Sequence, residues 1–383
     1  MPWQPRDLMD TKKEFVELAL QQGANRRELC RRFGISAKTG YALLARYASG
    51  GEQGLQALSR KPRSNPLATP ATVEQAVLQV RRSHPAWGGR KIARFLRDQG
   101  HTQVPAPSTI TAIVRRHGLL DEAACADAQH WQRFEHDSPN ALWQIDFKGC
   151  FDTASQRCHA LTLLDDHSRY NLTLQACANV GCATVQPLVH RVFLRYGLPV
   201  CINADNGPPW GSPRLAEHGL SEFSVWLIRL GIRVSHSRPY HPQTNGKLER
   251  FHRSLQKEVL GHTAFEDLLQ VQRAFDRWRA VYNHQRPHEA LALNTPDKRY
   301  TVSHRPCPAQ LPAIEYAEHD EVLTVGWSGQ VRWRGHRLKV SNALIKLPVA
   351  FRADPQRDGC FDLFFCHHRF SRVDLAALTA ASH

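Results

Sequence analysis

Trp143-Gln-Ile-Asp-Phe-Lys148 alternates without a break. Trp143, Ile145 and Phe147 fall on one face of an extended strand, and Gln144, Asp146 and Lys148 on the other. An acid in mid-strand runs against strand propensity, which marks Asp146 as a candidate for chemistry. The apolar runs at 158–164 and 170–176 read as the next two strands, joined through Asp165-Asp-His-Ser-Arg169, and together make an antiparallel meander. Val185, Leu188, Val189, Val192, Phe193 and Tyr196 then recur at helical spacing, and Gly197 closes that helix. Residues 198–204 form a buried strand with Asp205 at its C-terminal end, before an Asn206-Gly207 turn, where α/β sheets gather ligands. Ser221 caps a further helix, and residues 232–235 are a short strand. The loop 238–245 leads into a helix from Gly246 that carries Glu249 in its first turn, where a carboxylate suits the helix dipole. A last long helix is expected from a Thr263-x-x-Glu266 capping box to about Tyr282. Three strands, helix, strand, helix, strand and helices make an α/β layer on a mixed sheet.

Around this unit the 383 residues divide at Pro-rich or polar stretches, residues 59–71, 121–140 and 300–312. The expected domains are a helix-turn-helix unit at 1–58, a second at 66–120, a linker at 121–138, the α/β core at 139–299 and a small β unit at 315–383. In the first, Asn25-Arg-Arg-Glu28 is a capping box, Phe33-Gly-Ile-Ser36 a tight turn, and residues 37–47 the recognition helix, with Leu43, Leu44 and Tyr47 inward. Lys38, Thr39 and Arg46 face out to contact DNA, and Arg31 and Arg32 suit phosphates. The second unit offers Arg90 and Lys91, after Trp87-Gly-Gly, and then Thr109, Arg115 and Arg116 on a helix capped by Ser108. On the Glu249 helix, Arg253 and Lys257 are placed to meet a phosphate near the acid. The tail alternates short β runs with glycine turns and reads as an SH3-like barrel, in which Arg332, Arg334, Arg337 and Lys339 interleave with Trp327 and Trp333 as a candidate nucleic-acid surface.

The charge supports a polyanionic partner. The chain carries +15, and residues 1–120 hold 20 Lys and Arg against 8 Asp and Glu, most of that excess. Ten cysteines form no C-x-x-C pair, which argues against a zinc finger or a disulfide framework. The N-terminal residues are charged where a signal peptide needs an apolar segment, and the longest stretch without Lys, Arg, Asp or Glu is broken by polar residues and proline, so no membrane association is expected.

Asp146, Asp205 and Glu249 are the acids that emerge from two strands and a helix. Mg²⁺ takes oxygen ligands from a few carboxylates and phosphate oxygens, and a pair of such ions drives in-line displacement at phosphorus. The rival acids read as structural: Asp152 as a hairpin residue, Asp165 and Asp166 as turn or ion-pair residues. His284 and His288 are spaced like metal ligands, but Pro287 interrupts their helix.

The motifs Trp-Gln-Ile-Asp146-Phe-Lys-Gly, Leu-Asp-Asp-His-Ser-Arg-Tyr170, Ala-Asp205-Asn-Gly-Pro-Pro-Trp, His-Pro-Gln-Thr-Asn-Gly-Lys-Leu-Glu249-Arg-Phe-His and Tyr-Asn-His-Gln-Arg-Pro-His288 stand in this order. In these the chain resembles the DDE transposases of bacterial insertion sequences, the branch whose core is related to retroviral integrases. The resemblance implies a multidomain protein: an α/β RNase H-like catalytic core with a mixed five-stranded sheet, N-terminal all-α helix-turn-helix units and a C-terminal SH3-like barrel. It implies a catalytic and metal-binding triad of Asp146, Asp205 and Glu249 holding two Mg²⁺ ions, with Mn²⁺ able to substitute. It also implies double-stranded DNA partners (element ends and target), a homodimer or larger synaptic assembly, and a cytoplasmic place at the bacterial nucleoid. The spacing of 44 residues from Asp205 to Glu249 is wider than in retroviral integrases, and their zinc module is replaced by the helix-turn-helix pair. A DNA-binding remnant without catalysis, and a nuclease that cuts without joining, are the alternatives.

Overall fold

Asn25 and Ser36 set the short helices of the first unit. In the computed structural model, which describes residues 7–57, 68–120, 136–211, 220–236 and 246–380, the chain divides into two units, Met1–Ala68 and Thr69–His383. The first holds α1 (Leu8–Leu20), α2 (Arg26–Arg32) and α3 (Ala37–Gly50). The Asn25 side chain accepts from Glu28 N–H at 3.2 Å, and Ser36 Oγ from Thr39 N–H at 3.1 Å. Such caps satisfy amides that no helical carbonyl can reach. Apolar spacing alone indicates a helix over Phe15–Gln22, but α1 starts at Leu8, because the Asp7 side chain caps it, and ends at Leu20. Leu43 is buried with Phe15, Val16, Ala19, Cys30 and Leu55, while Leu44 and Tyr47 pack against that cluster.

Gly40 is where α3 meets its neighbours: a Cβ there would stand 2.4 Å from Cys30 Sγ and 2.9 Å from Phe15 Cζ. Gly40→Ala is therefore expected to destabilise this unit by about 1–3 kcal/mol through overpacking, although alanine is the better helix former. A thermal scan of the full chain in which Gly40→Ala melts like wild type would refute the close approach.

The second unit opens with α4 (Ala71–Ser83), α5 (Gly89–Asp98) and α6 (Pro107–Arg116) around Trp87, Ile92, Leu96, Ile110 and Val114. The expected cap of α6 is corrected. Ala106 is the N-cap residue and Pro107 the first helical residue, so Ser108 lies inside the first turn. Proline suits that position because its missing N–H would be unpaired anyway.

The core begins with β1 (Leu142–Asp152), β2 (Arg157–Asp165) and β3 (Asn171–Cys177), followed by α7 (Cys182–Tyr196), β4 (Cys201–Ala204), α8 (Glu222–Arg229), β5 (Arg233–His236), α9 (Gly246–Leu255) and α10 (Leu268–His284). The sheet order is β3-β2-β1-β4-β5, antiparallel through β1–β3 and parallel from β1 to β5. This mixed five-stranded sheet with helices on both faces fits an RNase H-like integrase core. Trp143, Ile145, Leu161 and Leu163 bury one face under Val185, Val189 and Phe193 of α7 and Phe223 and Leu227 of α8. Ala160, Leu164 and Leu174 bury the other under Leu248, Phe251 and Leu255 of α9 and Val271, Phe275 and Tyr282 of α10. The start of α10 is corrected: Asp267, not the Thr263–Glu266 box, caps it, accepting from Gln270 N–H at 2.7 Å.

The tail contributes β6 (Glu321–Thr324), β7 (Gln330–Trp333), β8 (His336–Lys339), β9 (Pro348–Ala353), β10 (Cys360–Phe365), β11 (His368–Asp374) and a short α11 (Leu375–Ala380). Among the described residues the strands pair as a four-stranded sheet, β11-β10-β9-β6, and a separate hairpin, β7-β8. That pairing gives the tail a C-terminal sheet with a hairpin beside it. Trp333 is corrected from surface to core. It is 2% exposed and stacks on Phe351 at 4.6 Å, because the strand period turns it inward with Val331.

Candidate active site

The ladder between β1 and β4 sets Gln144 opposite Asn203. Asp146 lies two residues further along β1, and Asp205 lies one residue past the end of β4, so both acids emerge at the same end of these neighbouring parallel strands. The cross-strand partner of Asp146 is Thr162, and the Thr162 hydroxyl meets His252 Nε2 at 3.2 Å. His252 follows Glu249 by three residues on α9, so the same crossing brings the third acid over β1.

The charges register this convergence. Burial pushes the Asp146 carboxyl up to about 7, and the Asp205 and then the Glu249 carboxylates push in the same direction. Phe147 N–H, donating to Asp146 Oδ1 at 2.8 Å, pulls the other way. Asp205 Oδ1 accepts from Gly207 N–H at 3.0 Å, which orients that acid in an Asx turn. Among the described residues no three His, Cys, Asp or Glu side chains close into a ready ligand set. The three acids thus share a field without forming a finished cage. Their chemistry suits a hard divalent cation: all offer carboxylate oxygens, and like charges crowded at one end of a sheet are relieved by a cation between them. The segments 212–219 and 237–245, with the His-Pro-Gln-Thr-Asn motif, lie outside the described residues.

Comparison with known proteins agrees with this architecture. Two integrase core domain models match residues 136–242 and 230–296. A helix-turn-helix domain model matches residues 11–63, a homeodomain-like domain model residues 39–114, and the C-terminal domain model of the IS481 family transposases residues 320–381. The chain belongs to the transposase/integrase family. It is a polynucleotidyl transferase by class. An uncharacterized 39.2 kDa protein of insertion element IS476 from Xanthomonas euvesicatoria is 25% identical over 66% of this chain and 71% of its own length. An uncharacterized 31.7 kDa protein of insertion element IS407 from Burkholderia multivorans is 26% identical over 46% of this chain and 60% of its own length. The HTLV-2 integrase catalytic core domain, solved in complex with magnesium, is 16% identical over 43% of this chain and 99% of its own, with a TM-score of 0.31.

Two side chains pin the Glu249 helix of the transposase, and neither is legible from motif spacing. Lys247, two residues before Glu249, donates to the buried carboxylate of Asp166, which also accepts from Gln144 Nε2 at 3.0 Å and His136 N–H at 3.1 Å. His252 anchors the following turn on Thr162. Burial first, and then Lys148, push its imidazole down to about 4, so it is an uncharged strut at neutral pH. Asp165, fully buried, accepts from Asn140 N–H, Ser168 N–H and Ser168 Oγ at 2.6–2.8 Å and serves the turn. His288 is buried against Tyr282, and His284 pairs with Asp297 at 3.1 Å, so the two form no ligand pair.

The candidate DNA contacts of the transposase separate by exposure. Lys38, Thr39, Arg31 and Arg32 are exposed on the first unit, with Arg31 paired to Glu28 at 3.1 Å. Arg46 is half-buried, and among the described residues its buried Nε has no hydrogen-bond partner. On the second helical unit Thr109 and Arg115 are exposed, and Arg116 pairs with Glu74 at 2.7 Å. Arg253 and Lys257 are exposed on α9 and the π-helical turn Gln256–Leu260 that extends it. Lys91 turns to the core instead, while Arg90 stays exposed. Arg90 approaches Glu289 at 3.7 Å, their neighbour Arg94 donates to Asn294 Oδ1 at 3.0 Å, and Lys91 lies largely buried near Glu258, Glu289, Arg286 and Arg250. Gly89 starts α5 so close to Pro107 that α5 and α6 pack tightly.

Burial, and secondarily Arg286, depress the Lys91 ammonium to about 8 from an ordinary value near 10.5. Between those values the folded chain binds fewer protons than the unfolded chain, so stability rises with pH across that window. The Lys91→Met variant should lack this rise. Melting temperatures of wild type and variant measured from pH 7 to 10 should converge as pH increases, and a constant difference would refute the burial of a charged Lys91.

Proposed function

We propose that this transposase binds the terminal inverted repeats of a mobile element, cleaves the 3′ ends and joins them to target DNA. The observation that carries this reading is the convergence of the three acid-bearing elements, set by the Gln144–Asn203 ladder between β1 and β4 and by the His252–Thr162 contact of α9 beside Asp146. In it, Asp146, Asp205 and Glu249 are the catalytic acids and metal ligands. Two Mg²⁺ ions held there, with Mn²⁺ as substitute, would supply an activated attacking hydroxyl and charge at the leaving oxygen. Asp205 is oriented by the Gly207 amide, and Glu249 is held by Lys247 and His252 through Asp166 and Thr162. Lys38, Thr39, Arg31 and Arg32, with Thr109, Arg115 and Arg116, would dock element ends, and Arg253 and Lys257 would hold the backbone beside the acids. The tail sheet and hairpin would serve as the small SH3-like module of the chain, with domain limits at 1–58, 66–120, 139–299 and 315–383. Joining two ends calls for a homodimer or larger assembly, working at the nucleoid of the cytoplasm. Among the described residues no helix is long and apolar enough to cross a membrane.

The test is an end-joining assay on the element's terminal DNA with Mg²⁺, with Mn²⁺ and with chelator. Joined product with either metal and none with chelator is expected. Cut ends without joining would make the chain a nuclease, and DNA binding with neither product would make it a silent remnant.

A further inference from the structure

Four arginines of the tail pair with acids. Arg334 pairs with Glu321, Arg352 with Asp320 at 2.7 Å, Arg369 with Asp362 at 3.3 Å, and Arg372 with Asp362 at 2.8 Å. From Val322 to Lys346 there are five Lys and Arg and no acid. Arg332 and Arg337 stand directly opposite each other across the β7–β8 hairpin, both exposed, and among the described residues neither has an ion pair. Like charges placed opposite on a ladder repel, so this arrangement calls for an anion between or above them.

The neighbouring turn adds a second feature. Trp327 is 78% exposed, where the chain turns from β6 into β7. That turn is tight, with Gly329 N–H donating to Gly326 O at 2.9 Å. Lys346 Nζ lies 3.9 Å from the ring centroid and so caps one face of the indole. Lys339, on the same exposed face as Arg337, donates to Ser328 O at 2.6 Å and ties the tip to the arginine pair. A large aromatic is kept in water at the end of a cationic strip, open for stacking on one side.

We propose that the hairpin tip is a site for a single DNA strand, in which the indole of Trp327 stacks on one unpaired base while Arg332, Arg337 and Lys339 hold the adjoining phosphates. The occupant follows from the chemistry. A stacking platform beside a basic track suits single strands, because every base has a π-face and paired bases hide theirs. This rests on the transposase reading only for where the strand arises: hydrolysis close to a DNA end lets the short cut piece dissociate and leaves the opposite bases without partners.

The experiment titrates the full chain, in chelator so that no chemistry occurs, with a twelve-nucleotide oligo-dT and with a twelve-base-pair duplex. Trp327→Ala should weaken oligo-dT binding roughly 10-fold and duplex binding less than about 2-fold, with Trp327→Phe retaining most of the affinity. Arg332→Gln with Arg337→Gln should reduce the salt slope on oligo-dT by about 1.4. All three side chains are exposed, so folding should be unaffected. Wild-type affinity of Trp327→Ala for oligo-dT, or equal losses on both DNAs, would overturn the proposal. Because no catalysis is read, failure of end joining leaves this result intact, and failure here leaves end joining intact.

Discussion

Asp146→Asn, Asp205→Asn and Glu249→Gln should each abolish end joining while leaving DNA binding in place. Charge stabilisation by bound metal contributes several kcal/mol to such reactions, and each 1.36 kcal/mol is tenfold in rate, so losses on the order of 10³-fold are expected. Each substitution keeps the shape and removes the negative charge. The field acting on Asp146 comes from burial and the other two acids, so the three should fail alike and their combination should be little worse than one. Joining at the wild-type rate by any of them would remove that residue from the site. Single-turnover joining with Mg²⁺, paired with a gel-shift titration, separates loss of chemistry from loss of docking.

Breaking the pair under the second helical unit should produce the largest loss of stability. Arg286 Nε donates to Glu258 Oε1 at 3.1 Å with side chains 10% and 8% exposed. Glu258 also accepts from Trp278 Nε1 at 2.8 Å, and Arg286 Nη2 donates to Ser254 Oγ at 3.0 Å. Arg286→Met leaves the Glu258 carboxylate buried without its main partner, which costs about 3–5 kcal/mol, a fall in Tm of roughly 10 °C. Glu258→Met with Arg286→Met removes both charges and should recover most of that loss, because a buried pair adds little over packed apolar groups. A single variant that melts with wild type would show that the pair is solvated. The same carboxylate lies near Lys91 of α5, so Arg286→Met should also loosen the second helical unit from the core.

Much of this was legible before any coordinates. The alternation of Trp143 to Lys148, the helical spacing from Val185 to Tyr196 and the caps at Asn25, Ser36 and Ser221 all depend on neighbours within one turn or one pleat, and all appear as read. Errors came where two local signals competed. Asp267 outbid Thr263 for α10, Pro107 displaced Ser108 from the start of α6, and Trp333 went inward because its partners are Phe351 and Phe361 on other strands.

The order of residues alone determined that acids would stand at 146 on a strand, at 205 just past one, and at 249 in the first turn of a helix, since periodicity and capping act over short spans. Only the tertiary structure decided which side chains hold them together. The Gln144–Asn203 register, the Lys247–Asp166 contact and the turning of Lys91 toward Glu258 join residues distant in the chain. Such contacts form when desolvation and charge are balanced across packed elements, a balance that no local pattern encodes.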